Sequence, residues 1–271
     1  MSQPRDDFAL YLADGRRFIP TSRGQGPWSP DHLFGGVPAA LFAQVLERTP
    51  TLAPMQVARL TVDLLRPVPM RPAEVSVRVL REGKRIQVLE GSMVVDGTEV
   101  ARASALRLRT IDLADLDLPG GDAPPGPEGF PVQDHQGPTT DGSRPGMADS
   151  VDYAYAEQIF DGPTWVRLRV PLLASEDTAP LARMAFAADF VSGVGHPRQL
   201  PVTGINADIT VNVIRYPAGA WLCIAGSGWT GPGGVGLAQA TLSDGDGVVA
   251  AVTVSRLVER LAAPVAGRRP D

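Results

Sequence analysis

The sequence is poor in cysteine, histidine and long apolar runs, and each shortage excludes a class of protein. One cysteine, Cys223, in 271 residues excludes an internal disulfide bond and a cysteine-based metal site, and it favours the reducing cytoplasm as the location. The three histidines lie far apart without ligand spacing, so we expect no metal. A formal net charge of −5 gives no electrostatic footprint for nucleic acid. No segment approaches the roughly 18 apolar residues of a membrane span.

The remaining composition is that of an ordinary globular protein, and its first half contains a buried helix. Hydrophobic residues make up 44% of the chain and charged residues 20%. Residues 30–48 pass from a polar turn through Gly35 and Gly36 into an apolar helix, with Pro38 in the first turn, where proline is tolerated. Apolar residues cover most of this helix, which predicts that it is buried. The two glycines permit close approach to the free amides of the helix start.

Strand patterns follow this helix, and the same order of helix and strands returns later in the chain. In the first half the sequence predicts a strand or hairpin and then four strands, over residues 8–20, 56–66, 74–81, 85–95 and 99–110. In the second half it predicts two strands, a helix and four more strands, over residues 153–160, 164–171, 179–192, 206–215, 221–229, 236–243 and 248–259. Between the halves, a Pro- and Gly-rich stretch without sustained periodicity predicts a linker or a long surface excursion.

The two halves match each other in sequence. Residues 60–67 match residues 209–217 with an offset of 210 − 61 = 149, and Ala101 matches Ala250 with 250 − 101 = 149 again. At that same offset the first helix is expected to fall on the second. A constant offset across helix, strand and turn predicts a duplication. We therefore expect an N-terminal repeat, a linker, a C-terminal repeat and a tail, over residues 1–112, 113–150, 151–262 and 263–271.

Four motifs carry a resemblance to a known family. They are Phe34-Gly35-Gly36, Leu64-Leu65-Arg66-Pro67, Ala207-Asp208-Ile209-Thr210-Val211, and Val235-Gly236-Leu237-Ala238 before Asp244-Gly245. With them the chain resembles the double-hot-dog acyl-CoA thioesterases of the TesB-like group, over both repeats but not over the linker. The resemblance implies an α+β fold, a tandem hot-dog. In that fold two antiparallel sheets each wrap a central helix and join into one extended sheet.

The resemblance also implies an activity, the hydrolysis of acyl-CoA to a free acid and CoA without a metal or redox cofactor. Water would be activated in a cleft between the two repeats, which requires a carboxylate or polar group and donors for the developing oxyanion. In the family an Asp, a Thr or Ser, and a Gln of the second repeat hold this water. Carried over, the first two positions fall on Asp208 and Thr230.

The position of the family Gln is the one departure from the pattern. It should lie near Val254, but residues 248–260 contain no glutamine. Thr253 and Ser255 flank the position, and neither hydroxyl replaces both the donor and the acceptor of an amide. This departure leaves open whether the standard mechanism operates.

Substrate contacts are expected at the start of the first helix. The backbone amides of Gly36 and Val37 would meet the thioester oxygen, favoured by the helix dipole, and Gly35 leaves room beside them. His32 precedes this turn and either lines the site or has a structural role. Asp189 is a carboxylate on an otherwise apolar helix, where an unpaired charge is costly. It is therefore paired, exposed at the helix edge, or directed at the site.

The sequence is also compatible with two other functions. A non-hydrolytic protein that binds acyl-CoA or another acyl ligand would keep the groove without the glutamine. A hot-dog hydratase is a less favoured hypothesis, because the sequence has no Asp and His pair near one helix to supply the acid and the base. Convergence of Asp208 and Thr230 on one cleft would favour the hydrolase. As partners we expect acyl-CoA and, from the family, a second copy in a homodimer, but neither nucleic acid nor a membrane.

Overall fold

The computed structural model describes residues 8–113, 115–116, 121–133 and 146–261. Within these ranges the chain forms two α-helices, α1 (Gly36–Glu47) and α2 (Pro180–Ala188). The strands of the first half are β1 (Tyr11–Asp14), β2 (Arg17–Pro20), β3 (Met55–Asp63), β4 (Ala73–Arg81), β5 (Ile86–Val95) and β6 (Thr98–Arg109). They are followed by β7 (Val132–Gln133), β8 (Val151–Ala154), β9 (Thr164–Leu168), β10 (Val202–Asn206), β11 (Asp208–Val213), β12 (Leu222–Thr230), β13 (Val235–Asp244) and β14 (Gly247–Arg260). The predicted tail, residues 263–271, lies outside the described residues.

These strands form one large antiparallel sheet. Its order is β1-β2-β4-β5-β6-β3-β11-β14-β13-β12-β9-β8-β7, and β10 pairs with β14 beside this path. The two halves therefore meet where β3 pairs with β11, and the sheet continues across that junction. A large antiparallel sheet with few helices is consistent with the predicted tandem hot-dog.

The junction of the two halves has local two-fold symmetry. Thr61 of β3 lies directly opposite Thr210 of β11, and their hydroxyl oxygens are 3.1 Å apart. These two threonines are the residues that the repeat offset of 149 makes equivalent. β3 and β11 are therefore equivalent strands of the two halves, and they pair with each other at equivalent residues.

Both helices pack against the sheet and against each other, and together they close one hydrophobic core. Ten of the twelve residues of α1 are buried, in agreement with the predicted apolar helix. Alternate residues of β5 are buried, as period-two patterning requires of a strand with one covered face. The ring of Phe42 packs directly against Gly91. A Cβ at position 91 would come within 2.9 Å of that ring, so the close contact requires glycine.

The second helix is shorter than predicted, and its offset is different. The sequence predicts a helix over residues 179–192, but the α-helix ends at Ala188 and continues as a 3-10 turn, Asp189–Gly193. The first residues of the two helices differ by 180 − 36 = 144, so the expected offset of 149 was wrong for the helices. The reason is β10, an added strand between the second helix and β11, for which the first half has no counterpart among the described residues.

Two predicted strands are also divided or shortened. Residues 153–160 were predicted as a strand, but β8 ends at Ala154, and Phe160 has φ of +64°, which a strand does not accommodate. Residues 206–215 were predicted as one strand, but β10 and β11 meet at Ala207. At this junction the N–H of Ala207 donates a hydrogen bond to Ser255 O at 2.9 Å.

The described parts of residues 113–150 pack against both halves. Trp165 Nε1–H donates to Pro125 O at 2.9 Å, and the Met147 N–H donates to Gln25 O at 3.0 Å. The division of the chain at residues 112 and 150 stays a prediction. Within the described ranges, no helix combines the length and apolar character that crossing a membrane requires.

Candidate active site

A cavity of about 370 Å³ opens where the two halves meet at the start of α1. Its lining includes residues 27–28 and 32–35 before α1, residues 64–68 after β3, and residues 204–206 of β10. The remaining lining residues are Met147, Tyr153, Phe160, Asp189, Phe190, Ser192 and Gly193. Most of these side chains are apolar or aromatic, and both halves of the chain contribute. An apolar cavity with a few polar groups is the usual form of a small-molecule site.

The Asp189 carboxylate is the acidic group of this cavity. It begins the 3-10 turn after α2, and only 3% of the residue is exposed. Its Oδ2 accepts a hydrogen bond from the Gly36 N–H at 2.8 Å, and its Oδ1 accepts one from Asn206 Nδ2. Asn206 Nδ2 also donates to the Asp189 backbone carbonyl at 3.1 Å. The carboxylate is thus held by the start of α1 on one side and by β10 on the other.

Burial makes this carboxylate a weaker acid than usual. Desolvation raises the pKa of Asp189 from 3.8 to about 6, and the hydrogen bonds from Asn206 and Gly36 oppose this rise. The dipole of α1 acts in the same direction as the hydrogen bonds, because its positive end faces the carboxylate. A buried carboxyl group with a pKa near neutrality is the kind of group that accepts and returns a proton during catalysis.

The two glycines at the start of α1 make this contact possible. A Cβ at Gly35 would lie 2.9 Å from both carboxylate oxygens of Asp189, and a Cβ at Gly36 would lie 2.6 Å from Phe186 O. No side chain of the N-cap residue, Gly35, caps the helix. The carboxylate of Asp189, which is distant in sequence, performs that function instead.

The predicted substrate contacts are only partly at the cavity. His32 and Gly35 line it. The amides of Gly36 and Val37, predicted to meet the thioester oxygen, already donate to Asp189 Oδ2 and to Phe34 O respectively. That part of the prediction is corrected, because the buried carboxylate and the first helical turn use both donors.

The structure does not bring Asp208 and Thr230 together at the cavity. Asp208 Oδ1 accepts a hydrogen bond from the Ser255 N–H at 2.6 Å, at the start of β11. Thr230 is an exposed residue at the end of β12, opposite Gly236. Neither residue is among those that line the cavity, and Thr253 is not among them either. Their catalytic role stays a prediction without support from a contact in the cavity.

Sequence reasoning left the position of Asp189 open and did not identify Asn206. The signal for Asp189 was its place on an apolar helix, and the structure shows that it is paired and lines the cavity. Asn206 had a weaker signal, an uncharged polar residue two positions before Asp208. Its role depends on β10, which the sequence pattern merged with β11. In the described ranges, no group of three His, Cys, Asp or Glu side chains lies close enough to hold a metal ion.

Family models match both halves of the chain. The model of an acyl-CoA thioesterase N-terminal domain matches residues 25–108, and the model of an acyl-CoA thioesterase C-terminal domain matches residues 124–255. The two matches cover well over half of the chain. The comparison with curated proteins gave no match.

Solved structures share the fold. A hot-dog-fold protein of unknown function from Alicyclobacillus acidocaldarius is 20% identical with a TM-score of 0.69, covering 97% of this chain and 100% of that one. Acyl-CoA thioesterase II TesB2 from Mycobacterium marinum is 17% identical with a TM-score of 0.63, covering 97% and 98%. The tesB protein of Mycobacterium avium subs paratuberculosis is 17% identical with a TM-score of 0.63, covering 92% and 95%. At these identities the likeness is evidence for the fold alone.

Proposed function

The chain belongs to the acyl-CoA thioesterase family and is a thioester hydrolase, and we propose that Asp189 is the base with which it activates water. The substrate is an acyl-CoA, and the products are a free acid and CoA. The proposed site is the cavity between the two halves, with the thioester carbonyl beside Asp189 and the acyl group among the apolar lining residues.

The environment of the Asp189 carboxylate carries this proposal. The group is buried, it is fixed by Gly36 and Asn206, and it faces an apolar cavity. Because the pKa of this carboxyl group is raised to about 6, most molecules carry it in the ionised form at neutral pH. The same raised pKa means that the carboxylate accepts a proton more readily than that of an ordinary aspartate. Asp208, by contrast, is a strand-start residue whose carboxylate is bonded to the Ser255 N–H.

In the proposed reaction, ionised Asp189 takes a proton from a water molecule as the water oxygen attacks the thioester carbon. The C–S bond then breaks, and the proton passes from Asp189 to the departing sulfur. The carboxylate is thereby restored, and the acid and the CoA thiol leave. The bonds from Gly36 and Asn206 keep the carboxylate oriented through both proton transfers.

Asn206 supplies the carboxamide that the last strand lacks. The glutamine of the family pattern is absent from β14, but the side chain of Asn206 on the adjacent strand β10 contacts the base directly. A carboxamide offers both a donor and an acceptor, which a hydroxyl at Thr253 or Ser255 does not match. We retain His32 and Gly35 as residues that contact the substrate, because both line the cavity.

Release of CoA from a panel of acyl-CoA thioesters, measured with a thiol reagent, tests the assignment. We expect Asp189→Asn to lower kcat/KM by at least about a hundredfold, the usual scale for loss of a general base. The matched control is Asp208→Asn, which removes the same charge from outside the cavity and is expected to leave turnover within about twofold of wild type. Circular dichroism and thermal unfolding would establish that both variants are folded.

Loss of activity in Asp208→Asn with retention in Asp189→Asn would overturn the assignment and return the role to Asp208. Saturable binding of the same thioesters without turnover of any would instead favour a non-hydrolytic acyl-CoA binding protein. Three further points stay predictions: the correspondence of each half to one hot-dog unit, the homodimer, and the cytoplasmic location.

A further inference from the structure

The cavity wall next to Asp189 is formed by a cluster of aromatic rings. Phe190, which follows Asp189 in the chain, is at the centre of this cluster. Its ring centroid lies 4.7 Å from that of Phe34, 5.6 Å from Tyr153 and 6.2 Å from Phe160. The Tyr153 contact is edge-to-face at 83°, whereas Phe160 is stacked at 27°. All four rings line the cavity.

Phe160 is held in this wall by an unusual backbone conformation. Its φ of +64° lies in the left-handed region, which non-glycine residues rarely adopt and which costs free energy. The conformation is fixed by the buried side chain of Thr164, whose Oγ1 accepts a hydrogen bond from the Phe160 N–H at 2.9 Å. Strained residues persist where the surrounding structure fixes them, and they cluster at ligand sites.

The surroundings of the Phe160 ring fix its position further. The ring occupies the space that a side chain at position 193 would need, because a Cβ on Gly193 would overlap with it. The guanidinium of Arg198 lies 5.8 Å from the ring centroid. Arg198 also donates to Ile159 O at 2.5 Å and to Gly193 O at 3.1 Å, which ties the segment that carries the ring to the segment against which the ring packs. These contacts therefore hold the Phe160 ring in a fixed position in the cavity wall.

From this wall we infer that the enzyme prefers an acyl group that carries an aromatic ring, with Phe160 as a specificity-determining residue. The inference rests on the proposed function, because it is the cavity beside Asp189 that would receive the acyl group. Aromatic pairs in stacked or edge-to-face geometry gain free energy beyond that of buried area, and a flat ring has few rotatable bonds to immobilise. A linear alkyl chain of the same carbon number gains only the apolar burial and loses more conformational freedom.

Binding to non-hydrolysable CoA thioethers tests this inference independently of turnover. Three ligands of equal carbon number, with 2-phenylethyl, 2-cyclohexylethyl and n-octyl groups on the CoA sulfur, would be titrated by calorimetry into wild type, Phe160→Leu and Phe18→Leu. Phe18 is a buried aromatic residue that is not among the cavity-lining residues, so it controls for loss of a ring elsewhere. The corresponding thioesters would be compared by kcat/KM.

We expect wild type to bind the phenyl ligand about two- to tenfold more tightly than either other ligand, the scale of one to several ring contacts. Phe160→Leu is expected to remove most of that preference while leaving the n-octyl affinity within about twofold. The Phe18→Leu control should keep the wild-type preference. Equal affinity for all three ligands in wild type, or an equal loss for all three in Phe160→Leu, would overturn the inference.

Failure of this inference is distinguishable from failure of the proposed function. Turnover that depends on Asp189 without a phenyl preference would leave the hydrolase and remove the aromatic specificity. A phenyl preference in binding without turnover of any thioester would support the aromatic site and overturn the role of Asp189.

Discussion

Gln44 of α1 and Asp189 after α2 each accept a hydrogen bond from the backbone N–H at the start of the other helix. Asp189 Oδ2 accepts from Gly36 at 2.8 Å, and Gln44 Oε1 accepts from Ala179 at 2.9 Å. The two residues are 189 − 44 = 145 apart, close to the helix offset of 144. The duplicated units thus cap each other's helices, once with a carboxylate and once with a neutral amide. Of this pair, only Asp189 carries a charge that can titrate.

Gln44→Glu is expected to destabilise the protein at neutral pH. Gln44 Nε2 donates to the Glu176 carboxylate at 3.1 Å, so the variant would place two carboxylates side by side and lose that bond. Since the repulsion raises the pKa of the new carboxyl in the folded state, its destabilising effect appears as pH rises and disappears in acid. We expect a loss of about 1–3 kcal/mol at pH 7.5 that shrinks at pH 4. Urea unfolding at both pH values measures it.

The control for this variant is Gln239→Glu, which makes the same change at an exposed residue of β13. Its effect should stay within about 0.5 kcal/mol at both pH values. A Gln44→Glu loss that did not depend on pH would contradict the electrostatic explanation.

The rate of hydrolysis should depend on the ionisation of Asp189. With a pKa of about 6, kcat/KM is expected to fall below that pH as the base becomes protonated. Asn206 lowers this pKa through its hydrogen bond, so Asn206→Ala should move the acid limb of the profile to higher pH. A pH–rate profile of both proteins between pH 4.5 and 8.5 measures the shift. An acid limb that moved downward, or not at all, would argue against direct contact between Asn206 and the base.

The same carboxyl group should reduce stability above its pKa. A folded-state pKa raised from 3.8 to about 6 favours the protonated form, so the contribution is most favourable below pH 3.8 and is lost as pH rises through 6. At about 1.4 kcal/mol per pKa unit, the cost at neutral pH is about 3 kcal/mol. The Asp189→Asn variant has an amide at this position, which does not titrate. Its unfolding free energy, measured in urea, should therefore gain about 2 kcal/mol on wild type between pH 4 and pH 7, because part of the cost is already present at pH 4.

The informative quantity is how the difference in unfolding free energy between Asp189→Asn and wild type changes with pH. The difference at any single pH also contains the effect of one altered hydrogen bond. A constant difference across the range would mean that the carboxyl keeps an ordinary pKa in the folded protein.

Gly36→Ala tests the close contact at the start of α1. The added Cβ would lie 2.6 Å from Phe186 O and 2.7 Å from the ring of Phe34, so backbone must move. We expect a loss of about 1–3 kcal/mol in unfolding free energy. Gly219→Ala is the control, because nothing lies within 4 Å of a Cβ there and its φ is not positive. Thermal unfolding of both variants would show whether the cost belongs to this contact or to any loss of glycine.

The repeat in the sheet could be predicted from sequence, because strands with one covered face keep a regular apolar pattern. The matched residues Thr61 and Thr210 do face each other in the structure. The offset of the helices could not be predicted in the same way, because β10 is inserted without changing the apolar pattern that surrounds it.

The candidate base shows what local sequence cannot reveal. Asp189 stands out in the sequence because an unpaired charge on an apolar helix costs free energy. Its partner is the N–H of Gly36, which is distant in the chain and which no local sequence pattern connects to it. Asp208 was assigned from its place in a strand motif, and its carboxylate bonds to the Ser255 N–H at the strand start. A motif fixes the position of a residue along a strand, whereas the contacts of its side chain depend on the neighbouring strands.

The pairing of β3 with β11 also governs how the chain can come apart. Each is a central strand only because the other is present, so separation of the halves would leave two long edges with unpaired N–H and C=O groups. Either half alone would then tend to pair with another copy through that edge, in the register that Thr61 and Thr210 now share. Covalent linkage keeps two unlike halves together in one chain. One of them can therefore retain a carboxylate at the helix contact while the other carries an amide.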